Sequence, residues 1–296
     1  MLPSNDHSDL QPRTDFHGPT DRLDFPGLKI GVAEYEEGPT GCTVFLFERG
    51  WLTALDIRGG LWGTSGDYDL NRGICFAGGS VLGIEATAGV AAELFAQGGY
   101  ALQHLPLMSG AIIFDSGSRN NAIYPDRELG SAAARAARPG RFPLSRHGAG
   151  RSATVGNLLP GGSEPGGQGA AFREMDGVKL MVCVVVNALG AVVGRSGRVV
   201  RGNVDPASGE RVRPTDPRMS ATPGRAAEPR PAQNTTLTLV ATNARLDTRP
   251  LRQLGNQVHA SMARAIQPFH TLSGGDALYC VTSNLADSTF PSDMLA

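Results

Sequence analysis

Residues 203–244 read NVDPASGERVRPTDPRMSATPGRAAEPRPAQNTTLTLVATNA, and two unlike halves meet inside this stretch. Up to Gln233 it holds six prolines and almost no large apolar side chain. Such a segment cannot bury enough surface to order itself, so 203–233 is expected to be a flexible, exposed linker. From Asn234 the pattern reverses. Thr236, Leu237, Thr238 and Leu239 alternate as in a strand, and Val240 and Ala241 carry the apolar run on. An exposed tether therefore ends on the first residue of a strand.

The flanking chain supplies the rest of a layered domain. Before the linker, GAAFRE (169–174), VKLMVCVVVNALG (178–190) and AVVGRSGRVV (191–200) read as strands. The unbroken LMVCVVV run predicts a strand covered on both faces. After it, DTRPLRQLGNQVHASMARAIQ (247–267) reads as an amphipathic helix ended by Pro268, and ALYCVTS (277–283) as a last strand. Nearer the start, LKIGVAEY, CTVFLFE and LTALDIR read as three strands separated by EGPTG and RG. A helix is expected over 81–97, stopped by Gly98-Gly99, then a short strand at AIIF (111–114) and a helix over 126–138 closed by Pro139-Gly140. Strands, helices, more strands, then strand–helix–strand give an α/β or α+β domain.

Composition narrows the function. The 296 residues carry a formal charge of −1 and are 41% hydrophobic, enough chain for a sizeable core. Near-neutral charge gives no electrostatic reason to expect nucleic acid or an anionic membrane as partner. No apolar run reaches the roughly 18–20 residues of a spanning helix. Residues 1–23 are polar, lack an apolar signal core and read as a flexible leader before a single domain over 24–296. The four cysteines form no CxxC pair, so zinc is not expected and a reducing cytoplasm is the expected location. The six histidines show no HExxH or paired spacing and are expected at the surface or at helix ends. AGGSVLG (77–83) is not GxGxxG and is not followed by Lys-Ser/Thr, and no serine sits in GxSxG. No metal and no cofactor are expected.

Asn234-Thr235-Thr236 has three readings. It is an Asn-x-Thr glycosylation acceptor, a plain turn before a strand, or a self-cleavage site. In the last, the Thr235 hydroxyl attacks the Asn234 carbonyl and water then frees Thr235 as a new N-terminus. The gain is chemical, because an α-amine is about one third unprotonated at pH 7.5, whereas a lysine is near 0.1%. Thr235 would then carry nucleophile and base in one residue.

DFPGLKIGVAEYEEGPTGCTVFLF (24–47), SGDYDLNRGICFAGGSVLGIEATAGV (65–90), GQGAAFRE (167–174), NTTLTLVATNARL (234–246) and QVHASMARAIQPFHT (257–271) resemble the self-cleaving N-terminal-nucleophile amidases of peptidase family S58, which include aminopeptidases and nylon-oligomer hydrolases. The resemblance runs from about Asp24 to Asp276. It implies an α+β fold, a four-layer αββα sandwich of the L-aminopeptidase/D-esterase and ornithine acetyltransferase type. It also implies cleavage at Asn234-Thr235 into 1–234 and 235–296, assembly into homo-tetramers, and metal-free hydrolysis of linear amides such as 6-aminohexanoate (nylon) oligomers or short peptides. An aminopeptidase acting on β- or D-amino acid amides is the alternative within the family, and an unprocessed, non-catalytic relative the alternative outside catalysis.

By the same similarity Thr235 is the nucleophile, Asn187 donates its side-chain amide to the oxyanion, and Asp276 orients the Thr235 hydroxyl or amine. Phe114, Asn157 and Thr236 are candidate substrate contacts. Four features depart from the family pattern. Asn157 stands where a lysine is usual, Gly274 where a second acid precedes Asp276, and Phe114 where a tyrosine is expected; family members also continue beyond the last strand, whereas this sequence ends at Ala296. Slower processing and turnover are expected to follow from the lost charges.

Overall fold

A computed structural model describes residues 2–216, 234–288, 291 and 295. Its principal strands are β1 (Leu28–Tyr35), β2 (Thr40–Gly59), β3 (Leu70–Ala77), β4 (Met108–Ile112), β5 (Gly167–Met175), β6 (Val178–Asn187), β7 (Thr235–Ala244) and β8 (Gly275–Ala286). The helices that pack on them are α1 (Glu85–Gln97), α2 (Arg127–Ala136) and α3 (Thr248–Ser261).

β2 joins two sheets. Its first half pairs with β1 from Thr40 to Phe47, and its second half pairs with β8 from Leu52 to Gly59. The sequence around Arg49-Gly50, read above as a turn between two strands, is instead an irregularity within one long strand. Leu46 pairs with Gly73 but Trp51 with Asn71, so β2 holds extra residues there and bends. One leaf is β1, the start of β2, β3 and β4. The other runs β5-β6-β7-β8 to the end of β2.

Alternation along the strands sorts side chains into three apolar layers. Ile30, Phe45, Phe47, Ile74 and Phe76 of the first leaf meet Met181, Val185, Leu237, Leu239 and Tyr279 of the second in one buried cluster. Residues of opposite parity, Val44, Leu46 and Cys75, face Val90 of α1 and Leu129 and Ala133 of α2. On the far side Val240, Leu278 and Cys280 face Leu251 and Leu254 of α3. The result is the expected αββα sandwich. Only β6 departs from its expected burial: its residues alternate between buried and half-buried, so its outer face is partly open.

β7 and β8 are parallel neighbours, and parallel strands need a crossover, which α3 provides. This places the start of β8 beside the start of β7. At β7's other edge Asn187 pairs with Thr235, so the last residue of β6 and the first of β7 lie side by side.

Two segments expected to be mobile are held. The leader reaches the open edge of β1, where Arg13 and Glu34 exchange both backbone hydrogen bonds at 2.9 Å, and Thr20–Leu23 pairs with Gly140–Pro143. The Arg13 guanidinium meets the fully buried Glu34 carboxylate at 2.8 Å. Of the expected linker, residues 203–216 also pack. Asn203 and Val212 are buried, Val212 lies against Leu159, and Arg211 makes a two-pronged contact with Glu164 at 2.7 and 2.6 Å. Composition alone missed this because one buried valine and one bidentate ion pair suffice to anchor the stretch. The remainder, 217–233, lies outside the described residues.

Helices α1 and α2 touch backbone to backbone through reciprocal glycines. A Cβ built on Gly130 would lie 2.0 Å from the Ala86 carbonyl oxygen, and one on Gly89 2.0 Å from that of Arg127. In an open helix Gly→Ala stabilises by up to about 1 kcal/mol. Here the sign is reversed: Gly130→Ala is expected to destabilise by about 1–3 kcal/mol, read from the midpoint of denaturant unfolding.

Candidate active site

Thr235 opens β7 with only 1% of its surface exposed, and Asn234 before it is also buried. The Thr235 hydroxyl donates to the Asn234 carbonyl oxygen at 2.7 Å. The backbone N–H of Gly275, at the start of β8, donates to the same oxygen at 3.1 Å. A hydroxyl and a backbone amide therefore converge on one peptide carbonyl, that of the Asn234-Thr235 bond. Such a donor helps most where negative charge develops on the oxygen. Glycine is required at 275, because a Cβ there would lie 2.0 Å from the Leu61 carbonyl oxygen and 3.3 Å from Thr235 Oγ1.

A frame of amides surrounds this bond. Asn187 accepts the Thr154 N–H at 2.9 Å through Oδ1 and donates through Nδ2 to the Phe114 carbonyl at 2.8 Å. Phe114 thus acts through its backbone, while its side chain packs against the helix-side core. Asn157 donates to the carbonyls of Thr154 and Ala188 and to Asn234 Oδ1, at 3.3, 3.2 and 3.2 Å. Asn157 therefore touches the scissile residue, as a neutral donor and not as a cation.

Asp276, expected to orient the Thr235 hydroxyl or amine, is one residue past Gly275 and contacts the neighbour of Thr235 in the unbroken chain. Its carboxylate accepts the Thr236 N–H at 2.8 Å through Oδ1, and the His270 N–H and Nδ1 at 3.1 and 3.2 Å through Oδ2. It holds the Thr236 N–H, while the Thr235 hydroxyl is engaged on the Asn234 carbonyl. The reason is register: Asp276 follows Gly275, whose amide already occupies the Asn234 carbonyl. Thr236, expected to contact substrate, is fully buried with its hydroxyl unpartnered. Gly274 lies alongside, and a Cβ there would meet Thr271 Oγ1 at 3.2 Å and Asp276 Oδ2 at 3.6 Å.

Behind Asp276 stands a pair the sequence reading passed over. His259, in the last turn of α3, is fully buried and bonds Asp56 of β2 at 2.8 Å through Nδ1. Its ring meets that of His270 edge-on at 4.4 Å. Burial pushes the His259 imidazole down to about 4, against the opposing hydrogen bond from Asp56. The histidines were expected at helix ends or the surface; His259 is at a helix end but in the interior. QVHASMARAIQPFHT contained both rings, and nothing in its spacing showed that the chain reverses to bring them edge to face.

Other chemistry-bearing groups stay out of the site. Cys183 and Cys280 are buried, and burial raises both thiols far above their ordinary range, which leaves them inert. Among the described residues no cluster of His, Cys, Asp and Glu has the arrangement of a metal site, and no helix is long and apolar enough to cross a membrane.

The chain matches the model of peptidase family S58 over residues 22–294. A 6-aminohexanoate-oligomer endohydrolase of Paenarthrobacter ureafaciens is 45% identical over 291 residues, spanning 96% of this chain and 81% of that protein. Among solved structures, the L-aminopeptidase D-Ala-esterase/amidase of Ochrobactrum anthropi, a variant of the Ntn hydrolase fold, superposes with a TM-score of 0.65 at 16% identity, covering 91% of this chain and 76% of that one. A Burkholderia sp. β-aminopeptidase gives 0.63 at 16% identity, covering 95% and 77%. At such identity these two likenesses concern the fold.

Two outcomes follow from the geometry. Gly275→Ala displaces the amide donor and is expected to slow cleavage at Asn234-Thr235 by about 10²-fold, followed by gel electrophoresis over time. His259 has an ordinary pKa of 6.5 and a folded value of about 4, so between them the unfolded chain binds more protons. Stability is therefore full above about pH 6.5 and falls towards pH 4, by at most about 3 kcal/mol. Denaturant melts across that range should show the slope in the parent and a shallower one in His259→Gln.

Proposed function

The chain belongs to peptidase family S58 and is a hydrolase of amide bonds, and from that premise we propose that it makes its own nucleophile by cutting between Asn234 and Thr235. Thr235 Oγ adds to the Asn234 carbonyl carbon while the Gly275 N–H takes up charge on the oxygen. The C–N bond then breaks, the hydroxyl proton passes to the departing nitrogen, and an ester joins Asn234 to the Thr235 side chain. Water splits the ester. Asn234 leaves as a carboxylate, and Thr235 keeps both a hydroxyl and a free α-amine. The observation that carries this reading is the Asn234 carbonyl oxygen held between the Thr235 hydroxyl at 2.7 Å and the Gly275 amide at 3.1 Å.

In turnover the Thr235 amine takes the hydroxyl proton as oxygen attacks a substrate amide and returns it to the leaving amine; water then hydrolyses the acyl ester, releasing the carboxylate and restoring the Thr235 hydroxyl. Asn187 is the proposed oxyanion donor by the family resemblance; in the unbroken chain its side-chain amide sits at the end of β6 beside Thr235 and donates to the Phe114 carbonyl. The proposed substrates are linear 6-aminohexanoate oligomers, supported by the 45% identity to an enzyme named for them. The aminopeptidase alternative is supported by the folds of its neighbours and is separated by product analysis, since it releases single N-terminal residues where an endohydrolase cuts internally. Homo-tetrameric assembly is part of the proposal, supported by exposed apolar side chains such as Trp62 and Leu102, 71% and 74% exposed. So is a cytoplasmic location, supported by four free, buried cysteines.

Asn157 is a neutral donor at a position where the family pattern has a cation that would favour an unprotonated amine and stabilise an oxyanion, which supports slow processing. Intact-mass measurement is expected to find fragments 1–234 and 235–296 in the parent and an unbroken chain in Thr235→Ala. The fragmented parent should hydrolyse linear 6-aminohexanoate oligomers and Thr235→Ala should not. A parent that stays whole, or equal hydrolysis by the two proteins, would overturn the reading in favour of a non-catalytic relative or a different nucleophile.

A further inference from the structure

His270 has no role in the steps above, yet only Asp276 and Thr236 separate it from the nucleophile. Its backbone is left-handed, with φ +55°, a conformation that glycine and asparagine adopt more readily than histidine. That turn aims two donors at Asp276 Oδ2, the backbone N–H at 3.1 Å and Nδ1 at 3.2 Å. A carboxylate accepts only, so in the neutral ring Nδ1 carries the hydrogen. The other carboxylate oxygen takes the Thr236 N–H at 2.8 Å. Holding that N–H fixes the plane of the Thr235–Thr236 peptide and so the position of the Thr235 Cα, leaving one torsion, about the Cα–C bond, which the pairing of Thr235 with Asn187 restrains.

The imidazole is itself fixed. Phe269 lies 3.9 Å away, centroid to centroid, and His259 meets it edge-on at 4.4 Å. His259 is anchored in turn on Asp56 of β2 at 2.8 Å. A chain of contacts thus runs from β2 through α3 to the start of β7. Its use becomes clear when the peptide bond breaks. Before cleavage Thr235 is tethered on both sides; afterwards only the Thr236 side is covalent, and misplacement of a reacting group by about 1 Å can cost about 10² in rate.

We propose that His270 is a positioning residue for Thr235, acting through the Asp276 carboxylate on the Thr236 N–H, so that the new chain end keeps its orientation once Asn234 has left. Its effect on rate rests on the self-cleavage reading; its effect on Thr236 does not.

Two substitutions that both tolerate the left-handed backbone isolate the side-chain donor. His270→Gly keeps the backbone N–H and removes Nδ1, whereas His270→Asn restores a side-chain N–H. In the uncleavable Thr235→Ala background, hydrogen exchange at the Thr236 amide is expected to speed up by about tenfold or more with His270→Gly and to return most of the way with His270→Asn. In the cleavable chain His270→Gly is expected to slow maturation and lower kcat by about tenfold or more with KM within about twofold, and His270→Asn to recover most of both. Should the glycine variant fail to fold, His270→Asp replaces it, since aspartate tolerates the backbone but its carboxylate cannot donate. Thr236 exchange equal to the parent's without the donor, or no recovery with asparagine, overturns the proposal. A parent that never cleaves defeats the proposed function alone, because the exchange comparison on the uncleavable chain still decides this one.

Discussion

The parallel pairing of β7 with β8 is the constraint on which the site depends. It brings Gly274 and Asp276 level with Asn234 and Thr236, so one strand start supplies the Gly275 amide to the Asn234 carbonyl and a carboxylate to the Thr236 N–H. Neither contact survives a shift of one residue, because a slip in register turns every side chain to the opposite face. The inter-sheet core prevents that slip. Leu237 and Leu239 of β7 and Ala277 and Tyr279 of β8 are buried in the same apolar cluster, and moving either strand by one position would replace them with Thr236, Thr238, Asp276 or Leu278.

Glycine at 275 and the bend in β2 serve the same arrangement from outside. The Leu61 carbonyl closes on Gly275, and the Leu61 N–H donates to the Gly274 carbonyl at 3.0 Å, so the chain leaving β2 backs the loop entering β8. The chain therefore approaches the scissile bond from three sides, through β2, β6 and β8. The charges in this enclosure are few. Asn157 and Gly274 remove a cation and an anion together relative to the family pattern, leaving Asp276 between the Thr236 N–H and the backbone N–H and imidazole of His270. That exchange keeps the site's net charge while taking away a cation that would favour an unprotonated amine.

Element by element, the patterns legible in the sequence were local ones. The alternation of Thr236 to Leu239, the glycine stop after α1 and the Pro139-Gly140 stop after α2 each mark an element that formed nearly where expected. What misled was composition taken alone. Arg49-Gly50 carries a turn signal, yet long pairing on both flanks keeps β2 continuous. Residues 203–216 look like tether, yet Val212 finds a pocket beside Leu159 and Arg211 finds Glu164.

The sequence by itself determined that a polar, proline-rich tract meets a β-patterned run at Asn234-Thr235, and its motifs placed that junction in a family whose nucleophile begins a strand. These are facts about neighbours along the chain, and local pattern encodes them. Only the tertiary structure decided which groups converge there: the Gly275 amide on the Asn234 carbonyl, the Asp276 carboxylate on the Thr236 N–H, and His259 edge-on against His270. The strand partners lie about 40 residues apart along the chain, their side-by-side order and register fixed by a shared buried core, and the two histidines meet only because the chain reverses after α3; no local pattern carries that information.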